Sequence, residues 1–283
     1  MALEPIRVKF IEIDGVRTRY YVAGQGHPVV LIHGVRMTAD FWIRTIEDLS
    51  SDYLVVALDL LGCGFTEGLT TEGQPPHREL LQHLIGFMDH LGLQDVSLVG
   101  SSLGGWLTAL AYFRQPERYR DLVFVGCEVI LSGDQALQRA RSEGSQQNGS
   151  RVFEDPSLAS VEAGMANIVA DITKVPEAVL LLQLTSSALP GAALAYQRRA
   201  AGLTQVSDSP DLMIGERLRE VKVPVLGVWG AIDPRGDMEA ARTVSDLVPD
   251  GQFVVMEDVG HLPYVERPQE FNKLLRAFLA QHS

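Results

Sequence analysis

Val96-Ser97-Leu98-Val99-Gly100-Ser101-Ser102-Leu103-Gly104-Gly105-Trp106 is the stretch from which the fold can be read. Val96 to Val99 is a short apolar run with β-branched residues, as in a buried strand, and beyond Ser102 the apolar positions Leu103, Trp106, Leu107, Leu110 and Ala111 recur at helical spacing. A strand therefore turns sharply into a helix at Ser102, inside the pattern Gly-x-Ser-x-Gly. Small residues are needed there because the two backbones pass close and the turn residue is strained. The serine hydroxyl points away from the sheet, and the first amides of the helix face whatever it meets. Gly104 and Gly105 each cost a helix about 1 kcal/mol relative to Ala, so their presence in its first turn predicts close packing.

The flanking sequence repeats the same rhythm. Asp14-Gly15 separates two period-2 segments, Val8–Ile13 and Thr18–Val22, and predicts a hairpin at one edge. Pro28–Ile32, Tyr53–Leu58 and Leu122–Val125 are continuous apolar runs of the kind buried on both faces of a parallel sheet. Helical patterns lie between them, one opened by Pro75-Pro76 and closed by Gly92. Strand and helix in alternation predict an α/β fold, a mostly parallel central sheet flanked by helices and joined by right-handed crossovers. The alternation stops near Cys127. Up to about Leu218 no strand is legible: Ser142–Ser150 is small and polar, a mobile loop, while Val161–Ala170 and Val175–Leu184 read as helices. Strands resume at Val223–Gly230 and Gln252–Met256, and Pro268–Gln281 is a last amphipathic helix. Residues 1–127 and 219–283 are therefore expected to form one core domain, with 128–218 a helical cap inserted over the ligand site.

Composition narrows the function. With 283 residues and 46% hydrophobic content the chain can fill a large core, and its net charge of −12 without a basic cluster argues against nucleic acid as a partner. The first residues have no apolar signal core and no apolar run is long enough to span a bilayer, so the expectation is a cytoplasmic protein without a membrane partner. Cys63 and Cys127 lack disulfide and metal-ligand spacing and read as packed, reduced thiols. No cofactor or metal is called for, the expected partner is a small-molecule substrate, and the oligomeric state is not legible.

Ligands of an open parallel sheet bind beyond the carboxyl ends of its strands. His33, Ser102, Glu128, Asp233 and His261 all follow strands. A serine needs a histidine base, and that base needs a carboxylate to fix its tautomer, so Ser102, His261 and Asp233 make a complete set in a workable order. Glu128 is a rival for the acid.

Together His33-Gly34, the Asp59–Thr66 loop, Gly100-Ser101-Ser102-Leu103-Gly104, Gly230-Ala231-Ile232-Asp233 and Gly260-His261 make the chain resemble the α/β-hydrolase superfamily over nearly its whole length apart from the cap. The resemblance implies a Ser102–His261–Asp233 triad, with Asp233 at the usual acid position. It also implies an oxyanion hole from the amide of Leu103 and that of Val35, with Arg36 as the alternative to Val35, and a loop-shaping role for His33; the Asp59–Thr66 loop lacks the spacing and the lysine of a phosphate-binding loop and reads as structural. Ser102 where dehalogenases and epoxide hydrolases carry Asp leaves acyl hydrolysis, with a carboxylesterase-like ester cleavage as the first expectation. Carbon–carbon hydrolysis of ring-fission products, the meta-cleavage branch, is the alternative. That branch is weakened by Val35-Arg36-Met37, Ser101 and Leu262, where it carries a small-residue run, Asn and Trp. Arg36, Arg198 or Arg199 could supply its carboxylate-binding cation, although a solvated helix face explains the Arg198-Arg199 pair more simply. Leu180, Leu184 and Leu189 are the expected lining of an acyl pocket, and activity is expected to rise through an imidazole pKa of roughly 6.5. A non-catalytic ligand receptor on the same fold is the reading from another class.

Overall fold

A computed structural model of the chain describes residues 5–68, 76–134, 136–137, 150–204 and 210–282. Eight strands form one sheet in the order β1-β2-β4-β3-β5-β6-β7-β8. β1 (Arg7–Ile13) and β2 (Val16–Ala23) are the predicted hairpin, with Asp14 and Gly15 both at positive φ as its tight turn demands. β2 runs antiparallel to β4 (Leu54–Leu58), and from there every pairing is parallel: β4 with β3 (Pro28–Ile32), β3 with β5 (Val96–Ser101), then β6 (Tyr119–Val125), β7 (Val225–Gly230) and β8 (Gly251–Met256). The β3, β5, β6 and β7 strands are buried almost throughout, which is why their sequences are apolar runs without alternation.

Helices cover both faces. α1 (Ile43–Leu49) and the last helix, α11 (Pro268–Gln281), pack together on one side, while α2 (Pro76–His90) and α3 (Leu103–Arg114) pack on the other. Each face has its own apolar core, one built around Leu98, Trp106 and Phe124, the other around Trp42, Val99 and Phe271. The start of α3 presses on the sheet: a Cβ on Gly104 would lie 2.3 Å from the Ile32 carbonyl oxygen, and one on Gly100 would lie 2.2 Å from that of Gly104. These contacts are the physical reason for glycine at both ends of the serine turn.

Between β6 and β7 the described residues form helices and no strand: α4 (Glu128–Ser132), α5 (Arg151–Glu154), α6 (Leu158–Ala166), α7 (Glu177–Ser187) and α8 (Ala192–Thr204). α9 (Met238–Leu247) and the short α10 (Pro263–Glu266) complete the chain. The polar stretch 142–149, read above as a mobile loop, lies outside the described residues. Among the described residues no single helix is long and apolar enough to cross a membrane.

The helical segment is held over the strand ends by polar contacts at several points. Gln183 donates to the Arg36 carbonyl at 3.1 Å, Arg199 donates to that of Gly62 at 2.6 Å, and the His261 amide donates to that of Ile168 at 2.7 Å. Beneath it Asp59 accepts from Arg19 and from the amides of Ala39 and Phe65, while Asp40 accepts from Arg19, Thr38 and Tyr21. This buried cluster fixes the glycine-punctuated loop after β4 and confirms its structural reading.

Candidate active site

Ser102 stands between β5 and α3 at φ 55° and ψ −117°, a conformation of the kind that costs a non-glycine residue on the order of 1–3 kcal/mol. Its amide donates to the Val125 carbonyl at 2.8 Å, and its own carbonyl accepts from Gly105 at 3.0 Å. Ser101 and Leu103 on either side are buried, whereas Ser102 itself is partly exposed. The turn thus lifts one hydroxyl out of an apolar layer. Gly34 packs against it, since a Cβ there would lie 3.2 Å from the Cβ of Ser102, which puts Val35 next to the serine. Leu103 is the first residue of α3, and its amide has no acceptor within the helix.

His261 and Asp233 come together on the neighbouring strand ends. The His261 Nδ1–H donates to Asp233 Oδ2 at 2.7 Å, with both side chains buried. Asp233 Oδ1 accepts in turn from the Arg235 amide at 2.7 Å. Ser102 and His261 approach one another across the end of β6: the serine amide is bonded to Val125, and a Cβ on the next residue, Gly126, would lie 3.3 Å from His261 Nδ1. Burial pulls the imidazole pKa down, but the charge and hydrogen bond of Asp233, with Glu128 behind, outweigh it and hold His261 above its ordinary value. The acid limb of activity is therefore expected above the free-imidazole value rather than at it.

Glu128 lies next to this pair and is not bonded to His261. Its Oε1 accepts from the Asp237 amide at 3.1 Å; burial and the charge of Asp233 push its pKa up to about 7. His33 is fully buried, and both ring nitrogens are used: Nε2 accepts from the Leu60 amide at 2.9 Å and Nδ1–H donates to the Gly34 carbonyl at 2.7 Å. Held neutral by burial, with its pKa lowered to about 3, it shapes the loop that carries Val35. Cys63 and Cys127 are buried free thiols, pushed up by desolvation and unsuited to nucleophilic work.

The substrate-side expectations divide. A cavity of about 490 Å³ opens between the loop after β4 and the helical segment, lined by Arg36, Met37, Gly62, Phe153, Leu189 and Arg199. Met37, which lines it, also touches the Gly34 position beside the serine, but Ser102, Asp233 and His261 are not among its lining residues. Leu180 and Leu184 are not part of its lining and pack in the apolar core that also holds Met37 and Trp42. Arg199 does not lie on a solvated face. It is 2% exposed, donates through one terminal nitrogen to the Leu61 and Gly62 carbonyls, leaves its Nε without a partner, and has no carboxylate partner among the described residues. Arg36 is almost as buried, with a single long bond to the Gly164 carbonyl. Arg198 is half-buried and stands outside the cavity lining.

One site residue has no counterpart in the sequence reading. Glu266, 6% exposed, accepts from the amides of Gly260 and Leu262 at 3.1 Å and from that of Ala170 at 2.7 Å, so a single carboxylate grips both sides of His261 and the helical segment above it. The available signal was its place five residues past His261, just before Arg267-Pro268.

Strand order, elbow and the His–Asp pair define a class, and the family comparison agrees: the model of the alpha/beta hydrolase family matches residues 29–274, and the chain belongs to that family. Among curated relatives, a 2-hydroxymuconate semialdehyde hydrolase of Pseudomonas putida is 28% identical over 94% of this chain and 92% of its own length. A pimeloyl-[acyl-carrier protein] methyl ester esterase of Aliivibrio fischeri is 27% identical over 92% of this chain and 96% of its own. Among solved structures, a 2-hydroxy-6-oxo-6-phenylhexa-2,4-dienoate hydrolase from Rhodococcus superposes with a TM-score of 0.81 at 22% identity, covering 98% of this chain and 99% of that one.

Proposed function

We propose that the protein is a serine hydrolase that cleaves small organic esters through an acyl-enzyme, with Ser102 as nucleophile, His261 as base and Asp233 as the orienting acid. The bond between His261 Nδ1 and Asp233 Oδ2 carries this reading, because it leaves Nε2 as the basic nitrogen and supports the positive charge that forms on the ring. Ser102 Oγ attacks the ester carbonyl as its proton passes to His261 Nε2. The carbonyl oxygen becomes an oxyanion at the amides of Leu103 and Val35, an arrangement whose single donors are worth about 10²–10³ in rate. His261 then gives its proton to the departing alcohol, and a water deprotonated by the same nitrogen releases the acid. The helical segment between β6 and β7 serves as a cap, and the buried cations Arg36 and Arg199 favour an ester that carries a carboxylate on its acyl side.

Arg199, which has no carboxylate partner among the described residues, favours one second reading, hydrolysis of a carbon–carbon bond in a ring-fission dienoate, whose carboxylate it would hold. Ser101 and Leu262 supply none of the further orienting groups that ketonisation of such a substrate needs. Small aryl or alkyl esters should therefore be turned over with kcat/KM at least about 10-fold above any ring-fission dienoate, roughly 1.4 kcal/mol in transition-state binding. A reversed ranking, with dienoate turnover alone lost in Arg199→Ala, selects the second reading. Ser102→Ala should abolish both activities and labelling by a fluorophosphonate, whereas an intact protein that resists the probe and turns over neither substrate is a receptor.

A further inference from the structure

Glu128 is a buried acid that the reaction above does not use. It opens α4 immediately after β6 and is 3% exposed; one carboxylate oxygen accepts from Asp237, while Oε2 is buried with no partner among the described residues. Its surroundings point at the triad. A Cβ on Gly236 would lie 2.5 Å from Glu128 Oε1 and 3.3 Å from Asp233 Cγ, so the two carboxyl groups converge on one spot with only a glycine between them. Gly126, two residues before Glu128, is in turn the residue that packs against His261 Nδ1. Glu128 is also close enough for its charge to act on His261.

Two carboxylates this close in a buried site do not ionise independently: the charge on one opposes the charge on the other. Burial first, and then the charge of Asp233, make Glu128 keep its proton into the neutral range. Neutralising Asp233 removes the second of these causes and leaves the charge of His261, which favours ionised Glu128, so Glu128 releases its proton at lower pH than it does beside ionised Asp233 and returns charge to the side of the imidazole. The other charged groups on the elements packed against α4 are Arg235 and Asp237 in the β7–α9 loop, Glu239, Arg242 and Asp246 on α9, and Glu216, Arg217, Arg219 and Glu220 on the Gly215–Glu220 turn, of which Arg219 and Glu216 pair with each other.

We propose that Glu128 is a reserve acid of the triad, a positioning residue that supports positive charge on His261 from behind Asp233 and takes over that support when Asp233 is neutral. The proposal rests on the Ser102–His261–Asp233 reading. It predicts that Asp233→Asn costs only about 10²-fold in kcat, less than the roughly 10⁴-fold known for a triad without a reserve.

A double-mutant cycle on an ester substrate tests it. Glu128→Gln should cost at least about 10-fold more in the Asp233→Asn background than in the wild type, and should move the acid limb of kcat/KM in the single Glu128→Gln variant to lower pH. Equal factors in both backgrounds with an unmoved limb would mean that Glu128 only packs, and would overturn the proposal. Should Asp233→Asn be too slow to assay, the His261 imidazole is titrated by NMR in Ser102→Ala protein: its midpoint should fall further for Asp233→Asn with Glu128→Gln than for Asp233→Asn alone, and equal midpoints refute the idea. Failure of the triad reading shows separately, as Ser102→Ala protein that keeps its activity.

Discussion

Glu266 offers the most direct test of how the helical segment and the histidine are joined. Its carboxylate is the shared acceptor for three amides, that of the exposed Ala170 on the segment and the buried ones of Gly260 and Leu262 on either side of His261. Glu266→Ala strands all three. At about 1–3 kcal/mol for each of the two buried donors left unsatisfied the cost is a large part of the stability of a domain, so loss of fold would mask the catalytic effect. Glu266→Gln is the informative change. Its one carbonyl oxygen can serve two of the donors, while its amide group faces the third, for a net cost of about 1–3 kcal/mol. In a chain of this size that is a fall in Tm of roughly 3–10 °C. The strand ends stay in place, but the loop carrying His261 loses one tether. A displacement of about 1 Å is worth up to 10²-fold in rate, so kcat on a good ester should fall by about 10–100-fold with KM within about 3-fold of wild type. Calorimetry and steady-state kinetics on the same preparation measure both. A Glu266→Gln variant with kcat within about 2-fold of wild type would refute the claim that this carboxylate positions the histidine, whatever its Tm.

Further outcomes follow from the same geometry. The acid limb of kcat/KM should lie above the free-imidazole value of roughly 6.5, since the support of Asp233 outweighs burial; a pH–rate profile with a limb below it contradicts the site electrostatics. His33, His77 and His83 are buried neutral with depressed pKa values, so the stability they contribute is present above the unfolded value of roughly 6.5 and is lost as pH falls toward 3–4, which a series of Tm measurements from pH 8 to pH 4 will record. Asp121 has the opposite sign: raised to about 7 by burial, it loses stability as pH rises from about 4 to 7, so Asp121→Asn should raise Tm at pH 8 and change it little at pH 4. Arg199→Met removes a buried cation together with the donor to the Leu61 and Gly62 carbonyls, opposing effects of about 1–3 kcal/mol that should leave Tm little changed, while kcat/KM falls for carboxylate-bearing esters and not for neutral ones; equal losses on both would deny Arg199 a part in substrate choice.

The framework was legible wherever a pattern is local. Pro268–Gln281 is helical end to end as its apolar period requires, and the Asp14-Gly15 turn places the edge hairpin within a residue or two. The beginning of β6 was not: Arg120 and Asp121 interrupt the apolar run, and only the bond from Ser97 on the neighbouring strand makes a buried Asp121 tolerable there. The side chains of the candidate site follow the same division. Ser102, Asp233 and His261 stand out because each follows a strand in a short glycine-marked motif. Arg199 was read as solvent-facing because its acceptors, the Leu61 and Gly62 carbonyls, are far away in the chain and carry no side-chain signal. Glu266 escaped for a related reason, since its ligands are all backbone amides.

The helical segment leaves the core near Gly133 and returns near Gly215, and the chain crosses itself there: a Cβ on Gly133 would lie 2.9 Å from the Cα of Gly215. An excursion with coincident ends is a closed loop as far as the sheet is concerned. Lengthening or exchanging it changes the entropy of closure by only about 0.6 kcal/mol per doubling of its length and shifts no strand. The triad candidates all lie outside that crossing, so the reaction chemistry and the shape of the chamber above it can be inherited separately. A lineage can then rebuild the upper part many times over while its machinery for attacking a carbonyl carbon stays as it is.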